Sequence, residues 1–162
     1  MYWCSFATSR WSSAEPMDGG SVVKFFETNP ECPAGFGGVE WDDSFDPPRQ
    51  ISARLIFAVP VRAELITSYG AAFAVTEPLA AALSRTDLTG FAFGPASGSP
   101  RSDLEEDAWF EIPPLRGLVI TGRAFLDDFG SRQQGLLILS ERAVDFLESR
   151  DPKFRDYIME PL

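Results

Sequence analysis

The chain has 162 residues, with 14 Lys or Arg against 24 Asp or Glu, and its formal net charge at pH 7 is −10. This length predicts a single domain over residues 1–162, and a 44% hydrophobic composition is sufficient for a sizeable core. Nucleic-acid binders need a basic face to neutralise phosphates, and no Lys/Arg cluster is present, so we expect no nucleic-acid partner. An acidic balance suits the capture of a basic protein, although solubility alone explains it equally well.

The chain contains no histidine. This excludes a Ser-His-Asp triad, a Cys-His dyad and a His-ligated zinc site. Carboxylates, Lys or Tyr remain available for catalysis, but the composition predicts a protein that is not an enzyme and that holds no cofactor or metal. Cys4 and Cys32 lack CxxC spacing, which indicates free thiols and leaves their pairing open. Without a signal peptide or a run of about 20 apolar residues, we expect a cytoplasmic protein with no membrane contact.

The N-terminal half is predicted to be strands separated by loops. The predicted strands are residues 2–8, 21–28, 39–41 and 51–59. Two prolines and three glycines indicate a loop over residues 29–38. Residues 62–69 are ambiguous and are interpreted as a short helix ended by Gly70.

The C-terminal half alternates short apolar strands with two helices. Strands are predicted at residues 73–75, 91–93, 118–120, 136–139 and 157–159, and helices at 77 to about 85 and 141 to about 149. Residues 96–107 are rich in Gly, Ser and Pro and then acidic, which predicts a long loop. Residues 125–130 are predicted to be a short helical turn or loop.

One pattern occurs twice, over residues 73–83 and 137–147. Three apolar residues are followed by Thr76 or Ser140, then by a glutamate, then by a helix that closes on leucine. The hydroxyl group is a good N-cap, and the glutamate is favoured by the helix dipole. Each helix is followed by a short strand that reaches a proline, Pro95 or Pro161. The predicted fold class is therefore α+β, a mixed or antiparallel sheet with a few short helices and two similar strand–helix–strand units.

Three segments of the C-terminal half of the chain are similar to segments of a known group of proteins. They are Ser140-Glu141 with its preceding strand, its helix and the final strand, the segment 125–129, and the segment 88–95. Together they resemble bacterial immunity proteins of polymorphic or contact-dependent toxin systems, the group that includes the double-CXXCG paralogues of myxobacteria. The resemblance covers about residues 73–162, and the CXXCG motifs are absent, so no metal site is carried over. It implies a cytoplasmic inhibitor that neutralises a cognate toxin by occluding its active or substrate site.

A protein-binding surface of this kind would use exposed carboxylates beside aromatic anchors, on segments such as acidic loops. Three acidic segments fit that description, and each is also compatible with a plain solvated loop. The candidate partner-binding residues are Glu40, Trp41, Asp42, Asp43, Phe45 and Asp46 in the first, Asp103, Glu105, Glu106, Asp107 and Trp109 in the second, and Asp127 and Asp128 in the third. The expected partner is a toxin with a basic surface, and the oligomeric state stays open.

Two other function classes remain as alternatives. One is a small carboxylate-dependent enzyme, for instance a hydrolase that uses Asp42 or Asp127 as acid or base. The other is an adaptor or a phage-type inhibitor protein. The sequence does not identify the activity of a toxin partner.

Overall fold

The structure is a computed structural model and describes residues 23–68, 72–104, 108–133 and 136–162. The strand predicted at residues 2–8 and the candidate residues Glu105, Glu106 and Asp107 lie outside the described residues. The elements in chain order are β1 (Phe25–Thr28), β2 (Glu31–Asp42), β3 (Arg49–Phe57), β4 (Leu65–Ser68), β5 (Phe73–Thr76), α1 (Glu77–Leu83), β6 (Phe91–Pro100), β7 (Leu115–Ile120), β8 (Gly122–Arg123), β9 (Phe129–Ser131), β10 (Leu137–Ser140), α2 (Glu141–Arg150), a 3₁₀ helix (Pro152–Tyr157) and β11 (Ile158–Pro161).

The strands are arranged in a barrel and a separate sheet. Six strands close into the barrel in the order β2-β3-β6-β7-β5-β4, and the others form a five-stranded sheet in the order β11-β1-β10-β9-β8. In the barrel β2 runs parallel to β4 and β3 parallel to β6, while the other neighbours are antiparallel. The predicted α+β class with mixed sheets is confirmed, and the closed barrel is a feature that the sequence did not predict.

The loop predicted over residues 29–38 is wrong, because most of these residues belong to β2. A Cβ atom on Gly37 would lie 2.1 Å from the carbonyl oxygen of Arg54, so only glycine lets β2 approach β3 this closely. The pairing register shifts here, and Gly38 has a φ of 132°. The glycines that indicated a loop therefore mark a bulge and a close approach between strands.

Two further predictions are wrong for related reasons. Residues 96–100, predicted as loop, extend β6 along β3, and a Cβ atom on Gly98 would lie 2.7 Å from the ring of Phe57. The predicted helix at residues 62–69 is replaced by β4, in which all four residues are buried. Leu65 packs into one hydrophobic core and Ile66 into another, which is the alternation of a strand buried on both faces.

The repeat predicted from the sequence is present, with one copy in each sheet. The neighbouring strands β4-β5-β7-β6 with α1 have the same topology as β9-β10-β1-β11 with α2. In both copies the helix connects two strands that are separated by one antiparallel strand, which is a split β-α-β unit.

The pairing registers of the two copies also match. Thr76 faces Leu115 and Pro95 faces the next residue of that strand, Arg116. Likewise Ser140 faces Phe25, and Pro161 faces the following Phe26. The repeat thus extends beyond the sequence pattern to the order and register of four strands.

A shared core lies between the two copies. Both helices contribute to it, and its buried members are Leu65, Phe73, Val75, Leu79, Ala80, Leu83, Leu118, Phe129, Leu137, Leu139, Ala143, Val144, Leu147 and Phe154. A second core is contributed mainly by barrel strands and consists of Ala34, Ala53, Leu55, Phe57, Ala63, Ile66, Ala72, Ala74 and Leu115. Because the shared core occupies the space between the two copies, polar segments reach the surface at the strand ends and in the loops between strands.

Candidate functional site

The first predicted acidic segment borders a cleft on the surface. The loop between β2 and β3 lies against the chain that leaves β7, and a cleft of about 120 Å³ separates them. We call it the hairpin cleft, and its lining residues are Phe45, Asp46, Pro47, Arg49, Ile120, Thr121, Gly122, Arg123, Ala124 and Ser131. The first segment supplies Phe45 and Asp46 to the lining, and the third segment, which begins at Asp127, supplies no lining residue.

Arg49 holds the β2–β3 loop in place over this cleft. Its guanidinium carbon lies 3.8 Å from the centroid of the Phe45 ring, and its Nη2 donates to the carbonyl oxygen of Thr121 at 3.1 Å. The cation–π contact and the hydrogen bond together anchor the β2–β3 loop to the chain that follows β7.

The β2–β3 loop is also closed by Asp42. The carboxylate of Asp42 accepts hydrogen bonds from the hydroxyl and the backbone N–H of Ser44, at 2.6 and 3.0 Å. These bonds, chiefly that from the hydroxyl, lower the pKa of Asp42. The loop therefore carries a fixed negative charge beside the exposed Asp43 and Asp46.

A tight turn over residues 123–127 leads into the third segment and exposes two apolar side chains. Asp127 fixes the turn, because its carboxylate accepts from the backbone N–H of Arg123 at 2.8 Å. Phe125 is 42% exposed and Leu126 is 68% exposed, and Phe45 of the cleft lining is 41% exposed. The sequence reasoning selected the carboxylates of this turn and missed Phe125 and Leu126. A bulky apolar pair directly before two aspartates was the available signal.

Asp128 does not belong to this surface. It is 9% exposed, and its carboxylate accepts from the hydroxyl of Ser140 at 2.6 Å and from the backbone N–H of Thr89 at 2.8 Å. The Nε of Arg142 lies 3.2 Å from the same carboxylate. Because these internal donors occupy the carboxylate, we assign Asp128 to the structure and not to partner binding.

The second acidic segment does not join the hairpin cleft. Asp103 pairs with Arg101 at 2.5 Å, and that hydrogen bond lowers the pKa of Asp103. The backbone N–H of Arg101 donates to the carbonyl oxygen of Phe57, at the end of β3 remote from the β2–β3 loop. A strand of nine residues places the two ends about 26 Å apart. Trp109 is 62% exposed but is not among the residues that line the cleft.

Glu40 lies on a different surface, a wider groove of about 690 Å³ across the outer face of β2, β3, β6 and β7. Its lining residues are Gly38, Val39, Glu40, Ser52, Ala53, Arg54, Pro95, Ala96, Ser97, Leu115 and Arg116. Glu40 accepts a hydrogen bond from the hydroxyl of Ser52, and Arg116 pairs with Glu77 at 2.7 Å. Glu40 and Arg116 thus each have a partner, and neither pairs with another charged residue of the groove lining. Trp41, the next residue of β2, is half-buried.

Within the described ranges, no group of three or more Cys, Asp or Glu is placed to hold a metal ion. No helix in that part of the chain is long and apolar enough to cross a membrane. Cys32, on β2, forms no disulfide with any residue that the structure describes, and Cys4 lies outside those residues, so their pairing stays open.

Comparison of the chain with protein-family models, with curated proteins and with solved structures gives no match. The resemblance to bacterial immunity proteins therefore stays a prediction.

Proposed function

We propose that this protein is an immunity-type inhibitor, which binds a cognate bacterial toxin and occludes its active or substrate site. The supporting observation is the surface around the hairpin cleft, where Phe45 is exposed beside Asp46, together with the turn that follows Ala124 of the cleft lining, where Phe125 and Leu126 are exposed. Apolar side chains gathered on one surface with a polar border are typical of protein–protein interfaces.

Charge supports a basic partner. Asp42, Asp43 and Asp46 lie together on the β2–β3 loop, and the whole chain carries a net charge of −10. A field of this sign raises the rate at which a positively charged protein meets the surface. Of the two arginines that line the cleft, Arg49 is engaged by the Phe45 ring and the Thr121 carbonyl, and Arg123 is exposed.

The surface is also preorganised. The Asp42 and Asp127 hydrogen bonds close the two loops, and Arg49 ties the β2–β3 loop to the carbonyl oxygen of Thr121. A rigid surface loses little conformational entropy on binding, which favours tight complexes of modest size. Inhibition by occlusion requires such a surface and requires no catalytic group on the inhibitor.

The test is affinity capture with the tagged full chain in its native host, followed by reconstitution from purified components. We expect one stoichiometric partner of basic isoelectric point, whose toxic activity is lost at a 1:1 ratio. A chain that captures no stoichiometric partner, or one whose activity is unchanged on binding, would contradict the proposal. Substrate turnover that is abolished by Asp42→Asn or Asp127→Asn would instead support the small-enzyme alternative.

A further inference from the structure

We infer that the turn carrying Phe125 and Leu126 is the apolar anchor of this interface, and that it inserts into an apolar pocket of a basic protein partner. The inference rests on the proposed function and adds to it which side chains bind and what the partner must offer. It concerns residues that the acidic pattern of the sequence did not single out.

The backbone of this turn adopts an unusual conformation at Phe125. Phe125 has a φ of 67°, in the left-handed region that glycine occupies without penalty and that a residue with a Cβ atom does not favour. A bulky aromatic residue at such a position is an outlier. Backbone strain of this kind is concentrated at binding and catalytic sites, where it sets the direction of a side chain.

Hydrogen bonds and an aromatic contact hold the turn in this conformation. The backbone N–H groups of Leu126 and Asp127 both donate to the carbonyl oxygen of Arg123, at 3.2 and 3.0 Å. The ring of Phe125 packs edge to face on Phe25, with 5.6 Å between the centroids. Phe125 is thus held by its contact with Phe25. Leu126 is 68% exposed, on a turn that its hydrogen bonds keep rigid. Rigid apolar side chains of this type are the usual energetic centre of an interface.

The charges around the anchor define the partner. Asp43 and Asp46 are exposed on the β2–β3 loop, across the hairpin cleft. Two exposed arginines also belong to the surroundings of the turn: Arg123 lines the cleft, and the guanidinium carbon of Arg132 lies 5.5 Å from the centroid of Phe125. A complementary partner carries an apolar pocket with cationic side chains towards the loop and acidic groups towards Arg123 and Arg132. Charges of both signs around one apolar pocket fix the orientation of the complex.

The experiment compares full-length baits that differ at one residue. Leu126→Asp places a charge at the anchor, and Val59→Asp makes the same kind of change at a 49% exposed side chain beyond the far end of β3. Both side chains are exposed, so we expect thermal denaturation to show a folded protein in each case. The Kd of the captured partner is expected to rise about 30-fold or more for Leu126→Asp and less than about threefold for Val59→Asp.

The possible outcomes separate the two proposals. A partner that binds Leu126→Asp as tightly as the unchanged chain overturns the anchor and leaves the proposed function intact. An unchanged chain that captures no partner overturns both.

Asp46→Lys tests the charged border of the anchor. It is expected to lower the association rate about threefold or more with little change in the dissociation rate. An association rate that does not change overturns the assignment of a cationic group facing the loop.

Discussion

At the scale of single residues, two aspartates of the predicted acidic segments differ in burial and therefore in their role. Asp128 is surrounded by donors from Thr89, Ser140 and Arg142, whereas Asp43 is exposed to solvent. Removing the Asp128 carboxylate leaves a buried hydroxyl and a backbone N–H without an acceptor. We expect Asp128→Ala to lower the free energy of unfolding by about 2–4 kcal/mol, measured by urea denaturation.

Asp43→Ala is the matched control, because it removes the same group from a solvated loop. Its effect on the free energy of unfolding should stay within about 0.5 kcal/mol. Equal losses for the two variants would show that the Asp128 network does not stabilise the fold.

At the scale of elements, the two helices begin alike but are capped differently. Ser140 accepts from the backbone N–H of Ala143 at 3.3 Å and donates to Asp128, so its hydroxyl is used twice. The predicted N-cap role of Ser140 is therefore confirmed. Thr76 occupies the N-cap position of α1, but its side chain makes no capping bond. Its hydroxyl donates instead to a carboxylate oxygen of Glu64 at 3.4 Å.

This difference predicts unequal effects of the same truncation. Ser140→Ala should lower the free energy of unfolding by about 2–3 kcal/mol, because it removes a helix cap and one of the hydrogen-bond donors to the buried Asp128 carboxylate. Thr76→Ala should lower it by about 1 kcal/mol or less, since only a long hydrogen bond and a methyl group are lost. Chemical denaturation of the two variants measures the difference, and a larger loss for Thr76→Ala would contradict the observed capping.

The elements that could be predicted are those with a local cause. Both helices follow from a capping residue, a first-turn glutamate and an apolar period, all within one short segment. The glycines of β2 and β6 could not be interpreted locally, because Gly37 meets Arg54 and Gly98 meets Phe57 only after distant strands have paired. A sequence window shows neither approach, so glycine was taken for a loop signal.

The candidate site was predictable only in part, and for the same physical reason. The acidic loop at Asp42 and Asp43 is visible in the sequence, but its contact with the turn at Ala124 depends on the closure of the barrel. Burial of Asp128 and exposure of Leu126 are likewise decided by packing around them and not by their own chemistry. Residue type located the segments, and tertiary structure decided which side chains reach the surface.

At the scale of the whole molecule, the two repeat copies are joined by packing and by charge. Their helices share one core, to which α1 contributes Leu79 and α2 contributes Leu147. At the border of that core Arg150 forms two hydrogen bonds of 2.8 Å with the carboxylate of Glu64, from the last turn of α2 to the residue before β4. Apolar contact and a bidentate ion pair on the same border indicate that neither copy unfolds without the other.

Leu147→Ala tests this coupling. The substitution leaves a cavity in the shared core and should lower the free energy of unfolding by about 2–5 kcal/mol. Because the core is shared, amide hydrogen exchange should accelerate by the same factor in β5 of one copy and β10 of the other. Asp145→Ala on the exposed face of α2 is the control and should change neither strand. If β5 kept its protection against amide hydrogen exchange while β10 lost it, the two copies would be independent folding units.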